Sequence, residues 1–158
     1  MHFISRLEAS PVDAVQGHLY LRHWHWLIPI DFSVVCVTKL GDAFLRDPHG
    51  SIWCLDVGSA ELTLVAANDA QWEALAQDES TRRFWSGHPL VAQLESSGLS
   101  PAPGECYTYL TSPILGGTYE PSNFKVVPVQ THFDIWGPIH EKLKDLPDGS
   151  QIRFVVVP

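Results

Sequence analysis

Hydrophobic spacing changes period several times along the chain, and each change marks an element. From His18 the sequence reads HLYLRHWHWLIPI, where Leu19, Leu21, Trp24, Leu27 and Ile28 fit a helical stripe, with alternation nearly as good. The spacing predicts a short helix docked on a sheet. Phe32–Leu40, Asp42–Arg46, Ser51–Val57 and Glu61–Ala67 are short runs that read as strands. Gly41, the turn Asp47-Pro48-His49-Gly50 and Gly58-Ser59 separate them, so the four make an antiparallel meander. In the last strand, alternation puts Leu62, Leu64 and Ala66 inward and Glu61 and Thr63 outward. Residues 1–17, broken by Pro11 and Gly17, are weakly patterned.

Beyond Asn68 the period lengthens. Asn68 with Gln71 has the form of a capping box, behind which Trp72, Leu75 and Ala76 face inward. Asp69 and Glu73 fall one turn apart on the outward face. A further helical stretch runs from Thr81 to Ser97, interrupted at Gly87-His88-Pro89 and closed by Gly98. Cys106–Leu110 and Phe124–Gln130 read as strands, the second an edge or a bulge because of Pro128. Thr131 to Asp145 reads as a helix that Pro138 must kink or divide, and Gln151–Val157 as a closing strand. The expectation is an α+β fold: a largely antiparallel sheet of about five to seven short strands with three or four packed helices, in a single domain over 1–158.

Composition narrows the function. With 158 residues, 45% hydrophobic and 18% charged, the chain is of ordinary globular make-up. No apolar run reaches the roughly 18 residues that a membrane span requires. The start, Met1 to Glu8, lacks the basic-then-apolar pattern of a signal peptide. Three widely spaced cysteines, Cys36, Cys54 and Cys106, read as reduced thiols, and the expected location is cytoplasmic. Ten basic residues against eighteen acidic ones leave a net charge of −8, the reverse of what phosphate contacts demand, so nucleic acid is not an expected partner. Between Arg46 and Arg82 stand Asp47, Asp56, Glu61, Asp69, Glu73, Asp78 and Glu79 with no Lys or Arg among them. Such a stretch is either a solvated acidic face or a surface for a basic partner.

Catalytic chemistry finds little footing. His23 and His25, with His18 nearby, lack the ligand spacing of a zinc site, so neither a metal nor any other cofactor is expected. Cys106 and His132 could be drawn as a nucleophile and its base, but the cysteines lie in apolar strand patterns, where they pack as small hydrophobes. Gly116-Gly117 has no phosphate-loop context. Six tryptophans supply core, with those of the HWHW segment a reserve choice for a partner surface. No catalytic residue is assigned, and the protein is read as a non-enzyme.

The most specified segment is Tyr109–Asn123. Pro113, Leu115, Gly116, Gly117, Tyr119 and Asn123 make a compact turn in which both glycines allow positive φ, Asn123 bonds the backbone and Tyr119 packs above. This P-x-L-G-G-x-Y-x-x-x-N arrangement, with Gly41-Asp42-x-Phe44 and the aromatic segment upstream, resembles the C-terminal domain of type VI secretion immunity proteins. In larger members that domain follows a glutamate-tRNA-amidotransferase-like domain. The resemblance spans Trp24 to His140 and is tightest at Tyr109–Asn123. It implies a cytoplasmic protein that neutralises a toxic effector, a DNase-type enzyme delivered by neighbouring bacteria, with no catalytic residues to carry over.

The expected partner is therefore a basic protein toxin encoded nearby. Its expected docking surface is the acidic stretch, with Glu61, Asp69, Glu73, Asp78 and Glu79 as contact residues. Two other readings remain: a sensor or small-ligand domain without a toxin partner, and a small metal- or thiol-dependent enzyme.

Overall fold

The meander forms as its turns dictate. The structure, a computed structural model, describes residues 9–153 and residue 155. Strands β2 (Ser33–Val37), β3 (Ala43–Arg46), β4 (Ile52–Asp56) and β5 (Glu61–Ala66) pair antiparallel in chain order. A two-residue strand, β1 (Ser10–Pro11), adds to the outer edge of β2. The turn after β3 closes as its sequence requires: the Gly50 amide donates to the Asp47 carbonyl at 3.1 Å, and the Asp47 carboxylate caps His49 and Ser51.

Helices cover both faces of this sheet. On one face, α1 (Ala14–Tyr20), the turns after it and α5 (Val129–Leu143) pack Tyr20, Trp24, Phe133 and Trp136 against Val34, Leu45 and Leu55. On the other, α2 (Asp69–Gln77) sets Trp72, and α3 (Glu79–Trp85) sets Trp85, against Cys36, Phe44, Ile52 and Ala66. A second, two-stranded sheet of β6 (Glu105–Tyr109) and β7 (Phe124–Pro128) packs on α4 (Leu90–Ser96) through Tyr107, Phe124, Val91 and Leu94. The Tyr107 amide donates to the Lys39 carbonyl at 2.7 Å and so ties the small sheet to the β2–β3 turn. The α+β class stands as expected; the described residues hold seven strands, one of which, β1, lies in the segment read as weakly patterned. The α-helices number five among the described residues, because Gly87-His88-Pro89 splits the 81–97 stretch into α3 and α4.

Several local expectations are corrected. The first helix spans Ala14–Tyr20 rather than starting at His18, because the Asp13 carboxylate caps the Gln16 amide at 2.8 Å. The HWHW segment follows as successive turns, with Trp24 fully buried and its indole donating to the Phe133 carbonyl. Leu64 is exposed rather than inward, on the edge strand β5; just beyond it the register slips between Ile52 and Trp53, an extra residue enters β5, and Ala66 turns to the face opposite that of Leu62. Asn68 caps the Gln71 amide, but the Gln71 side chain returns to the Ala67 amide rather than to that of Asn68. Pro138 lies within α5 without dividing it. Residues 151–153 and 155 form no strand; the rest of the expected strand Gln151–Val157, like the segment 1–8, lies outside the described residues.

Candidate functional site

The two glycine-bearing segments singled out in the sequence meet at one place. Gly41 turns the chain between β2 and β3 with φ +82°. The residues on either side of it then go to opposite environments.

Behind Gly41 lies a closed polar chain. The Trp136 indole donates to Thr108 Oγ1 at 2.8 Å, and the Thr108 hydroxyl donates to His132 Nδ1 at 2.8 Å. His132 Nε2 in turn donates to the Gly41 carbonyl at 3.2 Å. Each ring nitrogen of His132 is thus satisfied in the neutral form. Burial pushes its pKa down to about 4, against a smaller upward pull from the Gly41 carbonyl. This histidine is no general base for Cys106: its nitrogens are committed, and burial drives the Cys106 thiol pKa upward. The same holds for Cys36, pushed up to about 12, and for Cys54. All three cysteines are free thiols.

Ahead of Gly41 lies an open cleft of about 480 Å³. Half-buried Asp42 and exposed Asp56, at the end of β4, line its base, and its walls are the C-terminal end of α3 and the loop between β6 and β7. The backbone holds Asp42 in place, because one carboxylate oxygen accepts the Val57 amide at 3.1 Å and the Asp42 amide donates to Thr38 Oγ1. Burial, followed by the neighbouring Asp56 charge, pushes the Asp42 pKa up to about 8, only partly offset by the Val57 amide. Burial and these two carboxylates also raise the Tyr109 phenol. At the rim stand large apolar groups facing solvent: Phe84 (79% exposed), Tyr119 (61%) and Ile114 (48%). A second hollow of about 330 Å³ lies between the loop and α5, lined by Leu115, Trp136 and Ile139, and has no carboxylate or imidazole.

The 110–123 loop explains its own sequence. Asn123 is buried; its Oδ1 accepts the Thr111 amide, and its Nδ2 donates to the carbonyls of Thr111 and Thr118, each near 2.8–2.9 Å. Pro113 and Leu115 bound a 3₁₀ turn that ends at Gly116 with φ +91°. Gly117 has no positive φ, contrary to the expectation for both glycines. A side chain there would strike the Thr111 carbonyl, so close backbone approach is what demands glycine. Tyr119 meets Tyr109 edge to face at 6.4 Å. The motif thus shapes one wall of the cleft and places Ile114 and Tyr119 on its rim.

The acidic stretch is less uniform than its sequence. Glu61, Asp69, Glu73, Asp78 and Glu79 are all exposed. However, Asp69 pairs with Arg46 at 2.7 Å, so the stretch does have a basic partner, from the residue that bounds it. Asp78 caps α3 through the Thr81 amide and hydroxyl, which lowers its pKa. Glu61 lies opposite Asp56 across β4 and β5, on the same face of the sheet, so the acidic strip runs up to the cleft. The cleft itself went unseen in the sequence; the signal for it was Gly41-Asp42 beside the glycine turn. The HWHW tryptophans offer little surface: Trp24 is buried, and Trp26 is partly buried with its indole donating to the Gly137 carbonyl, while His23 and His25 are exposed. Among the described residues no group of three or more His, Cys, Asp or Glu is placed to hold a metal ion, and no helix is long and apolar enough to cross a membrane.

Fold and cleft define an α+β domain with helices on both faces of a meander and an open cleft beside Gly41. Residues 66–140 match the family described as T6SS immunity protein Tdi1, C-terminal, which supports the type VI secretion immunity family that the sequence resembles. The match starts at the last residue of β5, so the aromatic segment and Gly41-Asp42-x-Phe44 lie upstream of it. The crystal structure of Atu4351 from Agrobacterium tumefaciens is similar in fold, with a TM-score of 0.63 at 14% identity, over 84% of this chain and 67% of that one. No curated protein matches the chain.

Proposed function

We propose that this protein is a type VI secretion immunity protein that binds and neutralises a cognate toxic effector, a nuclease, in the cytoplasm, and that it does so as a binding protein rather than an enzyme. The observation that carries this reading is the family match over 66–140, the segment that builds α2 to α4, the 110–123 loop and most of α5. The net charge of −8 supports it, since a nuclease holds phosphate with a basic surface that an acidic inhibitor can cover. The partner is a basic effector encoded nearby, and its docking surface is the acidic strip of Glu61, Asp69, Glu73, Asp78 and Glu79.

Co-expression with the product of the neighbouring gene tests the reading. The parent protein should rescue growth and co-purify with the effector. Changing Glu61, Glu73, Asp69 and Asp78 together to Gln or Asn should leave the fold intact, because asparagine also caps helices. Binding should weaken at least tenfold, about 1.4 kcal/mol, and the loss should shrink as salt screens the exposed charges. Equal rescue and equal affinity at low ionic strength would remove the acidic strip as the interface.

A further inference from the structure

We infer that the cleft between β3–β4, α3 and the 110–123 loop receives a basic side chain, arginine or lysine, presented by the bound effector. The inference rests on the immunity reading and adds to it the point at which the partner is gripped. Two carboxylates, Asp42 and Asp56, form the floor, and no Lys or Arg lines the cleft. One Asp42 oxygen accepts the Val57 amide and one Asp56 oxygen accepts the Ser59 amide; their second oxygens have no hydrogen-bond partner among the described residues. Aromatic side chains complete the walls: Trp85 is partly buried, while Phe84 and Tyr119 stand out into solvent. Carboxylates below and rings beside are the surroundings a guanidinium or ammonium group prefers, through charge-assisted hydrogen bonds and cation–π attraction. Glu61 extends the same negative field to the mouth, so an approaching basic surface is drawn toward the cleft.

The floor adds a proton linkage. Asp42 shares the cleft with Asp56 and Cys54 from β4, Tyr109 from β6, His88 from the α3–α4 connection and Tyr119 from the loop, and its charge also acts on Cys106 of β6. Around neutral pH it holds a proton that an entering cation would displace. Affinity should therefore rise between pH 6.5 and 8.5, and a His88→Gln variant should keep that rise.

The decisive variant is Asp42→Asn with Asp56→Asn, since both amides keep the acceptors for Val57 and Ser59. Effector from the co-expression test and agmatine, a free guanidinium compound, are titrated separately into the parent and the double variant. Effector affinity should fall at least tenfold in the folded double variant. Agmatine should shift the resonances of Ile114 and Trp85 in the parent alone and compete with the effector, whereas uncharged N-butylacetamide should do neither. A folded double variant that holds the effector as tightly as the parent overturns the cleft inference while leaving the immunity reading intact. If the parent captures no effector, the immunity reading falls; agmatine bound in the cleft would then make its occupant a small cation and overturn the partner assignment too.

Discussion

Gly41 separates two polar sites that differ in kind. On one side His132, Thr108 and Trp136 use their hydrogen-bonding groups on one another and on the Gly41 carbonyl, out of contact with water. On the other side Asp42 is half satisfied and faces open space. A closed buried network is worth most when every member is paired, and it serves the fold. A carboxylate left raised in pKa at the base of a cleft is poised to respond to whatever enters. The difference teaches that burial of a titratable group does not by itself mark a site; an unused valence opening on a cavity does.

The sharpest way to break the contrast is Gly41→Ala. The new methyl group would collide with the His132 ring at a backbone φ of +82°, and we expect a loss of about 4 kcal/mol in denaturant unfolding or failure to fold. Next in size is Thr108→Val, which keeps shape but strands the His132 Nδ1 acceptor and the Trp136 indole. It should cost about 2–3 kcal/mol and leave the proposed effector binding unchanged once folding is corrected for.

The smallest effect concerns pH and separates the two sites by sign. His132 has a folded pKa of about 4 against an ordinary 6.5, so between these values the unfolded chain holds the extra proton and stability rises with pH. Asp42 has a folded pKa of about 8 against an ordinary 3.8, so the folded state holds the extra proton and stability falls as pH rises toward 8. From pH 6.5 to 8 only the second effect remains of the two. Thermal melts should show the parent losing Tm across that window and Asp42→Asn losing much less. Parallel curves would mean that Asp42 is ionised in the folded protein.

How much of this was legible in the sequence depended on range. The meander and its turns were readable because Gly41, Asp47-Pro48-His49-Gly50 and Gly58 act on their immediate neighbours. Asn123 was readable for the same reason, since its partners Thr111 and Thr118 lie within the loop. The β5 bulge was not, because alternation read along one strand carries no information about the slip against β4. Arg46 and Asp69 lie 23 residues apart and meet only through the sheet. The cleft is longer-range still: its floor comes from residues 42 and 56, and its walls from 84–90 and 109–119. No local spacing encodes that meeting.

The thiols give the cleft a chemical reporter. Cys36 and Cys106 are buried, but Cys54 is only partly buried and lines the cleft. Its raised pKa keeps the reactive thiolate scarce at neutral pH, so alkylation should be slow, and selective for Cys54 in the native state. An occupant seated over Asp42 and Asp56 would shield that sulfur. Labelling rate at a single native cysteine then becomes a clock for occupancy, with no dye or tag to introduce.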